Sequence, residues 1–492
     1  MTARRRLAKG EYTLKQGLPQ RKLERDFMNG NHVKPFLPPG VSKEYLELRE
    51  YSISNMLPLA QAAPLQRLKV SGFSTHGKDS ASQDLDSKLW RNTWQFNRMD
   101  ARQKIVYADA YNHGRGIVSV AAASTVGKAR ISIESPDKVH VEMDPEDPFK
   151  PLYAVKIITD ESEMETGAGI ILPNGETYHP GSTIRKAWVY DDKGWMHFKT
   201  SGQSSAWVYV SEGEHSMDAV PFVPYDVNLD SSGKPHSILA QLLPTQKAIN
   251  FVRFATLLAL QFSAHRQRAI SGYDPVVRTE EDEIVYQKDK NGVEIMDPLT
   301  GLRVPVLESL GRMGVDRLVT FANKDVKVWD MPESNLENYI NVHNSLIEEL
   351  FARAQIPPQY QLINMHNLTG DALSGAESTL TSFVGDLKAT FSESHEQVMR
   401  LAARAVGHDG IDDYSSEIAW GDGETRSFGQ IIDAITKLIS VGFPKKAAFA
   451  MIPGATDTKV NTWMDMSKAE LHTQWAVMEG QTEELDEDLS EA

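Results

Sequence analysis

Apolar residues recur at helical spacing through two long stretches of this chain that flank an amide-rich loop, and that pattern predicts its most distinctive device. In the first stretch Leu336, Tyr339, Ile340, Leu346, Ile347, Leu350 and Phe351 share one face of a helix. Pro357 and Pro358 remove two amide donors and bias Ile356 away from helical angles, so this helix must end near Gln355. At 1.5 Å per residue, residues 335–355 would span roughly 30 Å. Residues 359–370, QYQLINMHNLTG, read as an exposed loop that closes on a glycine. A second long helix then begins, with Thr369 as one N-cap and Ser374 with Glu377 as a capping-box pair. Leu373, Ala376, Leu380, Phe383, Leu387 and Phe391 recur every three or four residues and turn one stripe toward a partner element. Taken alone, the stretch fits an ordinary helical hairpin with a decorated turn equally well.

The rest of the pattern supplies context. Residues 1–41 carry scattered charge and close on Pro35, Pro38 and Pro39, so they read as an arm. Residues 43–68 give a helical pattern interrupted at Pro58 and Pro64, and residues 85–112 give another with Trp90, Trp94, Phe96, Ile105, Val106 and Tyr107 as apolar surface. Those aromatics lack interleaved basic residues and read as core rather than as a base-stacking platform. After His113-Gly114 the period changes. Short β-rich runs at 116–126, 129–133, 139–143, 152–158, 187–190, 196–200 and 206–210 predict a mainly antiparallel sheet. Residues 144–148, DPEDP, bring three carboxylates together, but two prolines favour a turn over a metal site.

Another long helix is predicted from Ile238 to Ile270, and its basic end, His265, Arg266 and Arg268, suits a helix C-terminus. Strand-like runs at 283–287, 302–307, 317–320 and 326–329, separated by Asn291-Gly292 and Thr300-Gly301, then form a small β-containing insertion between two long helices. Beyond Met399 a short strand at 417–420 precedes helices at 427–441, 445–451 and 456–478. The fold class is α+β.

Length and chemistry narrow the function. A chain of 492 residues is too long for one simple core and implies several domains or subdomains. There is no cysteine, which removes disulfides, thiolate metal sites and cysteine nucleophiles together. No apolar run reaches the length of a membrane span, and the N-terminal MTARRRLAKG lacks the apolar segment of a secretory signal, so a soluble protein made in a reducing cytoplasm is expected. A net charge of -15 argues against gripping nucleic acid, although a weakly repulsive wall suits a protein past which DNA slides. Part of that charge sits in the tail 479–492, which reads as a disordered, solubilising end. Gly127-Lys128 lacks the other elements of a P-loop, and Gly421-Asp422-Gly423 meets Arg426 where a dinucleotide fingerprint needs glycine. His395-Glu396 lacks a second histidine four positions after the first, and no G-x-S-x-G elbow occurs. No catalytic residue, metal or cofactor is predicted.

The order of these parts resembles the portal proteins of tailed bacteriophages, of the type found in actinobacterial phages. Residues 45–73 (YLELREYSISNMLPLAQAAPLQRLKVSGF) resemble the family's early helix, with Asn55 and the closing Gly72-Phe73. Ile356-Pro357-Pro358 with residues 367–377 (NLTGDALSGAE) resembles its loop and helix restart, and residues 418–442 its C-terminal stretch. The resemblance covers residues 42–464. It implies a portal-like fold with a mixed α/β wing at 42–237, stem helices at 238–270 and 333–355, a small β-containing clip at 271–332 and a tunnel loop at 356–372. A long wing helix at 373–415 and a helical crown at 416–478 complete it.

The resemblance further implies a homo-oligomeric ring, usually a dodecamer, at one capsid vertex of the virion, assembled in the host cytoplasm. Its partners would be the terminase large subunit, then the head-tail adaptor, the major capsid and scaffold proteins, and double-stranded DNA passing without sequence specificity. No membrane is implied. The loop's polarity then makes Gln359, Tyr360, Gln361, Asn364, His366 and Asn367 the expected DNA-channel residues, as uncharged, weakly bonding groups. Another structural virion subunit, a capsid or adaptor protein, is the alternative, and a clip-sized insertion between two long helices speaks against it. A DNA-processing enzyme would need acidic metal ligands clustered within strands, and the sequence offers no convincing set.

Overall fold

The structure is a computed structural model. It describes residues 2–36, 44–75, 80–166, 170–171, 177–178, 181–200, 206–264, 268–271, 276–279, 281, 283–307, 327–330, 336–357, 360, 370–407, 416–421, 428–452, 455 and 459–470. The helices in chain order are α1 (Ala3–Met28), α2 (Glu44–Tyr51), α3 (Leu57–Leu65), α4 (Ser80–Trp90), α5 (Met99–His113), α6 (Ile238–Ala264), α7 (Leu336–Arg353), α8 (Gly370–Ala405), α9 (Phe428–Ser440) and α10 (Lys445–Ala450). The strands are β1 (Val70–Ser74), β2 (Arg115–Ala122), β3 (Ala129–Glu134), β4 (Val139–Met143), β5 (Pro151–Thr166), β6 (Ile170–Ile171) and β7 (Thr177–Tyr178). They continue as β8 (Gly181–Tyr190), β9 (Gly194–Thr200), β10 (Trp207–Glu214), β11 (Phe222–Asp226), β12 (Arg268–Ser271), β13 (Lys327–Asp330) and β14 (Glu417–Trp420). The chain divides into two compact units, one of residues 1–33, 55–247 and 347–492 and the other of residues 34–54 and 248–346.

In the first unit an antiparallel five-stranded sheet, β10-β9-β8-β5-β4, accompanies a three-stranded one, β11-β2-β3. Side chains alternate across a strand, so each sheet can bury two different sets. Val139, Val141 and Ala154 pack with Ile117, Val220 and Phe222 to join the two sheets. The opposite face of the larger sheet, with Val155, Ala187, Val189 and Phe198, packs on Leu7 of α1. Strand β11 carries Pro224 and lies at a sheet edge, where a missing amide donor breaks no ladder. Sequence patterning missed it, and also missed β1, which pairs antiparallel with β14 across more than three hundred residues.

The segment read as an arm contains α1, a 26-residue helix with Leu7, Gly10, Leu14, Glu24 and Phe27 buried. Many of its charges, which hid it from a hydrophobic reading, meet partners on other elements. Arg6 pairs with Asp191 at 2.9 Å, Lys9 with Glu142 at 2.6 Å, and Arg21 and Arg25 both reach Asp137. Glu11 takes hydrogen bonds from Arg185 and from the Trp207 indole at 2.7 and 2.8 Å. Burial alone would raise the Glu11 pKa, but the bonds from Lys15, Trp207 and Arg185 outweigh it and hold the carboxyl down to about 2. Gly10 permits the close approach to the sheet, since a Cβ there would lie 2.7 Å from Val155 Cγ2.

Other expectations shift by local chemistry. The break expected at Pro58 falls instead between α2 and α3, and Pro58 sits in the first turn of α3, where its absent N–H costs nothing. The helix expected over 85–112 is divided by a π turn at Arg91–Gln95 and by Arg98 at φ 55°. Trp94, Val106 and Tyr107 are buried as expected, whereas Phe96 and Ile105 are exposed. The DPEDP segment is a turn, in which Asp144 accepts the Glu146 amide at 3.0 Å.

In the second unit the helix expected to reach Ile270 ends as α6 at Ala264, and Arg268 and Ile270 lie instead on β12, paired antiparallel with β13. The partner strand is about sixty residues away, beyond the reach of local periodicity. His265 and Arg266 lie outside the described residues, as does the run 317–320. The other expected strands form an unusual arrangement of three extended segments. Val277 donates its amide to Val306 O (2.9 Å), Val306 to Val285 O (2.7 Å) and Val285 to Val277 O (2.8 Å). Gln287, Val304 and Ile295 repeat the same closed triangle one layer on. Isolated bridges replace continuous ladders because each segment gives its donors to one neighbour and its acceptors to the other. The turns at Gly292 (φ 82°) and Gly301 (φ 67°) fall where Asn-Gly and Thr-Gly were read, in a conformation that favours glycine.

Candidate functional site

The central site is where α7 stops and α8 starts. Ile347, Leu350 and Phe351 bury one face of α7. Beyond Arg353 the chain closes with Ile356 N–H on Phe351 O at 2.9 Å and Gln355 N–H on Ala352 O at 3.1 Å, a Schellman-type end. Gln355 occupies its left-handed position at φ 55°, where glycine is the usual residue. Ile356 and Pro357 are buried, and Tyr360 N–H returns to Pro357 O at 3.2 Å. The helix therefore ends where the proline pair predicted, with backbone strain at its last turn.

Tyr360 is the one described member of the six residues expected to face a channel. Gln359, Gln361, Asn364, His366 and Asn367 lie outside the described residues. Tyr360 is half-buried, and its hydroxyl accepts a hydrogen bond from Arg67 Nη2 at 3.3 Å. The same Nη2 lies 3.5 Å from Glu377 Oε2 on α8. Arg67 follows α3, its amide bonds to Pro64 O at 3.1 Å, and its side chain is 11% exposed. Glu377, expected in a capping box, is thus spent on Arg67, and α8 already begins at Gly370. Nothing in local patterning marked Arg67, because its partners lie about three hundred residues away.

Helix α8 is fixed to the first unit by a polar relay buried among aromatic rings. His395 lies on the predicted apolar stripe, continued from Leu380, Leu387 and Phe391, and is fully buried. Tyr107 donates to Gln103 Oε1 at 3.1 Å, so its oxygen accepts from His395 Nε2–H at 2.5 Å. His395 Nδ1 is then the acceptor for the Tyr225 hydroxyl at 2.8 Å. Gln103 Oε1 also takes the Val70 amide at 2.9 Å, so one relay joins β11, α8, α5 and β1. Trp94, Phe391 and Trp420 enclose it. Burial drives the His395 pKa down to about 3 and pushes both tyrosines well above the usual phenol range. The imidazole is therefore a neutral structural hub. A histidine at the next stripe position after Phe391 was the only signal for it in the sequence.

A cleft beside α8 is lined by Asp147, Asp226, Glu393, Ser394, Arg400 and Arg404 among others. Its groups serve packing: Asp226 holds Arg115, Arg404 donates to Met217 O, and Ser394 donates to Pro224 O. Among the described residues no group of His, Asp and Glu could hold a metal ion, and no helix is long and apolar enough to cross a membrane.

The family model described as phage portal protein, SPP1 Gp6-like, matches residues 56–476, and the chain belongs to that family. Among curated proteins it is 26% identical over 391 residues to the portal protein of Mycobacterium phage D29, covering 77% of this chain and 70% of that one. It is similar to the same extent to the portal protein of Mycobacterium phage L5. The protein is thus a phage portal protein of the actinobacterial phage type.

Proposed function

We propose that this portal protein assembles into a closed ring, a homododecamer, at one capsid vertex and forms the channel for genome packaging and ejection. In this reading residues 42–237 are the wing, 238–270 and 333–355 the stem helices, 271–332 the clip, 356–372 the tunnel loop, 373–415 the long wing helix and 416–478 the crown. The stem carries the proposal. From Phe251 to Leu260 helix α6 reads FVRFATLLAL, apolar around nearly its whole circumference, and such a helix needs cover on all sides. Yet Phe251 and Leu260 are 53% and 50% exposed, and Ile340 and Val342 on α7 are each 51% exposed. Copies on either side in a ring would cover these faces, because a heterologous interface presents different surfaces to its two neighbours.

The clip supports the same reading, since Val293, Met296, Leu299 and Leu302 expose apolar surface in a small unit. That surface suits successive protein partners, first the packaging terminase and then the head-tail adaptor. The net charge of -15 and the amide-rich loop suit a channel in which Gln359, Tyr360, Gln361, Asn364, His366 and Asn367 meet DNA without holding it. The protein would act without catalysis or a cofactor. Electron microscopy of the purified protein, alone and with capsid and scaffold proteins, tests this. Rings with an axial hole are expected, and monomers under both conditions would overturn the proposal.

A further inference from the structure

We propose that Arg67 is a positioning residue that fixes both feet of the segment 361–369 from a single guanidinium nitrogen, through Tyr360 before the segment and Glu377 after it. The proposal rests on reading that segment as the channel loop. Nη2 donates a hydrogen bond to Tyr360 Oη at 3.3 Å and forms an ion pair with Glu377 Oε2 at 3.5 Å. The post is itself fixed. Arg67 follows the last turn of α3, whose Leu57, Ala60, Ala63 and Pro64 are buried, and its side chain is 11% exposed. The feet are less secure without it.

Tyr360 has its amide bond to Pro357 O, following a helix end strained at Gln355. Glu377 lies about two turns into α8, before the first fully buried residue of the described stripe, Leu380. The Arg67 side chain is 11% exposed and that of Glu377 34%, so water screens the ion pair only in part. Arg67 Nη1 is buried and has no hydrogen-bond partner among the described residues.

Hydrogen–deuterium exchange of the full chain, read by mass spectrometry over peptides covering 356–360 and 370–380, tests the assignment. Tyr360→Phe should speed exchange at the first peptide only, Glu377→Gln at the second only, and Arg67→Ala at both. The expected rise is roughly tenfold, the scale of losing one hydrogen bond to a charged group. Peptides from β2 and β11 should keep their rates, which separates positioning from general loosening. Rates unchanged at both feet in Arg67→Ala, or raised at one alone, would overturn the proposal. If Arg67→Ala does not fold, the two single variants still decide it, because each must loosen its own foot and leave the other unchanged. Retention of packaged DNA by heads built with Arg67→Ala tests the channel reading separately. Looser feet with normal retention would leave the fastening in place and remove the channel role.

Discussion

Replacing His395 with glutamine gives a sharp test of the buried relay, because the variant keeps a polar side chain but cannot take up a proton near neutral pH. Burial holds the His395 pKa down to about 3, against 6.5 in an unfolded chain. Between those values the unfolded state binds a proton that the folded state refuses, so stability falls as pH falls. Above pH 6.5 nothing is lost; each unit below it costs about 1.4 kcal/mol, giving roughly 2–3 kcal/mol by pH 4.5. At pH 7.5 the variant should be less stable by about 1–3 kcal/mol, from poorer packing and an imperfect bridge between Tyr107 and Tyr225.

The two proteins should therefore converge on acidification. At roughly 2–4 °C per kcal/mol for a domain of moderate size, the gap in midpoint should close by about 4–12 °C between pH 7.5 and 4.5. Thermal unfolding followed by circular dichroism across that range measures it. Other groups with displaced pKa values, Glu11 near 2 and Asp109 raised to about 6 by burial, are present in both proteins and largely cancel in the difference. A gap that stays constant with pH would refute the assignment of His395 as a buried neutral hub.

Gln355→Gly should raise the unfolding midpoint, since it relieves about 1 kcal/mol of left-handed strain at φ 55°, while Gln355→Val should lower it. Gly10→Ala should destabilise by about 1–3 kcal/mol despite its better helix propensity, because the new methyl meets Val155; adding Val155→Ala should recover part of the loss in chemical denaturation. Asn55→Ala should cost about 1–3 kcal/mol, because its amide caps Phe27 O and Met28 O at the end of α1 while its carbonyl takes the Leu57 amide, and urea titration reads this directly. Leu260→Glu, at a half-exposed stem position, should leave the circular dichroism spectrum unchanged and abolish rings in size-exclusion chromatography with light scattering.

Much of this protein follows from its sequence because the physics involved is local. The period of apolar residues gave α7 and α8, Pro357 gave the stop at Gln355, and alternation with turn residues gave β2 to β5 and β8 to β10. Those features depend on backbone sterics within a few residues, and together with the family resemblance they were enough to assign the protein class. Tertiary structure decided what depends on partners far away in the chain. The charges of α1 look like a solvated arm until Asp137, Glu142, Asp191 and Arg185 come to meet them. Strand β1 exists because β14 pairs with it, and β12 displaces the end of a predicted helix because β13 supplies its ladder. Arg67 carries no local mark and His395 only its place on an apolar stripe; each is defined by acceptors and donors from other elements, whose approach only the folded chain creates.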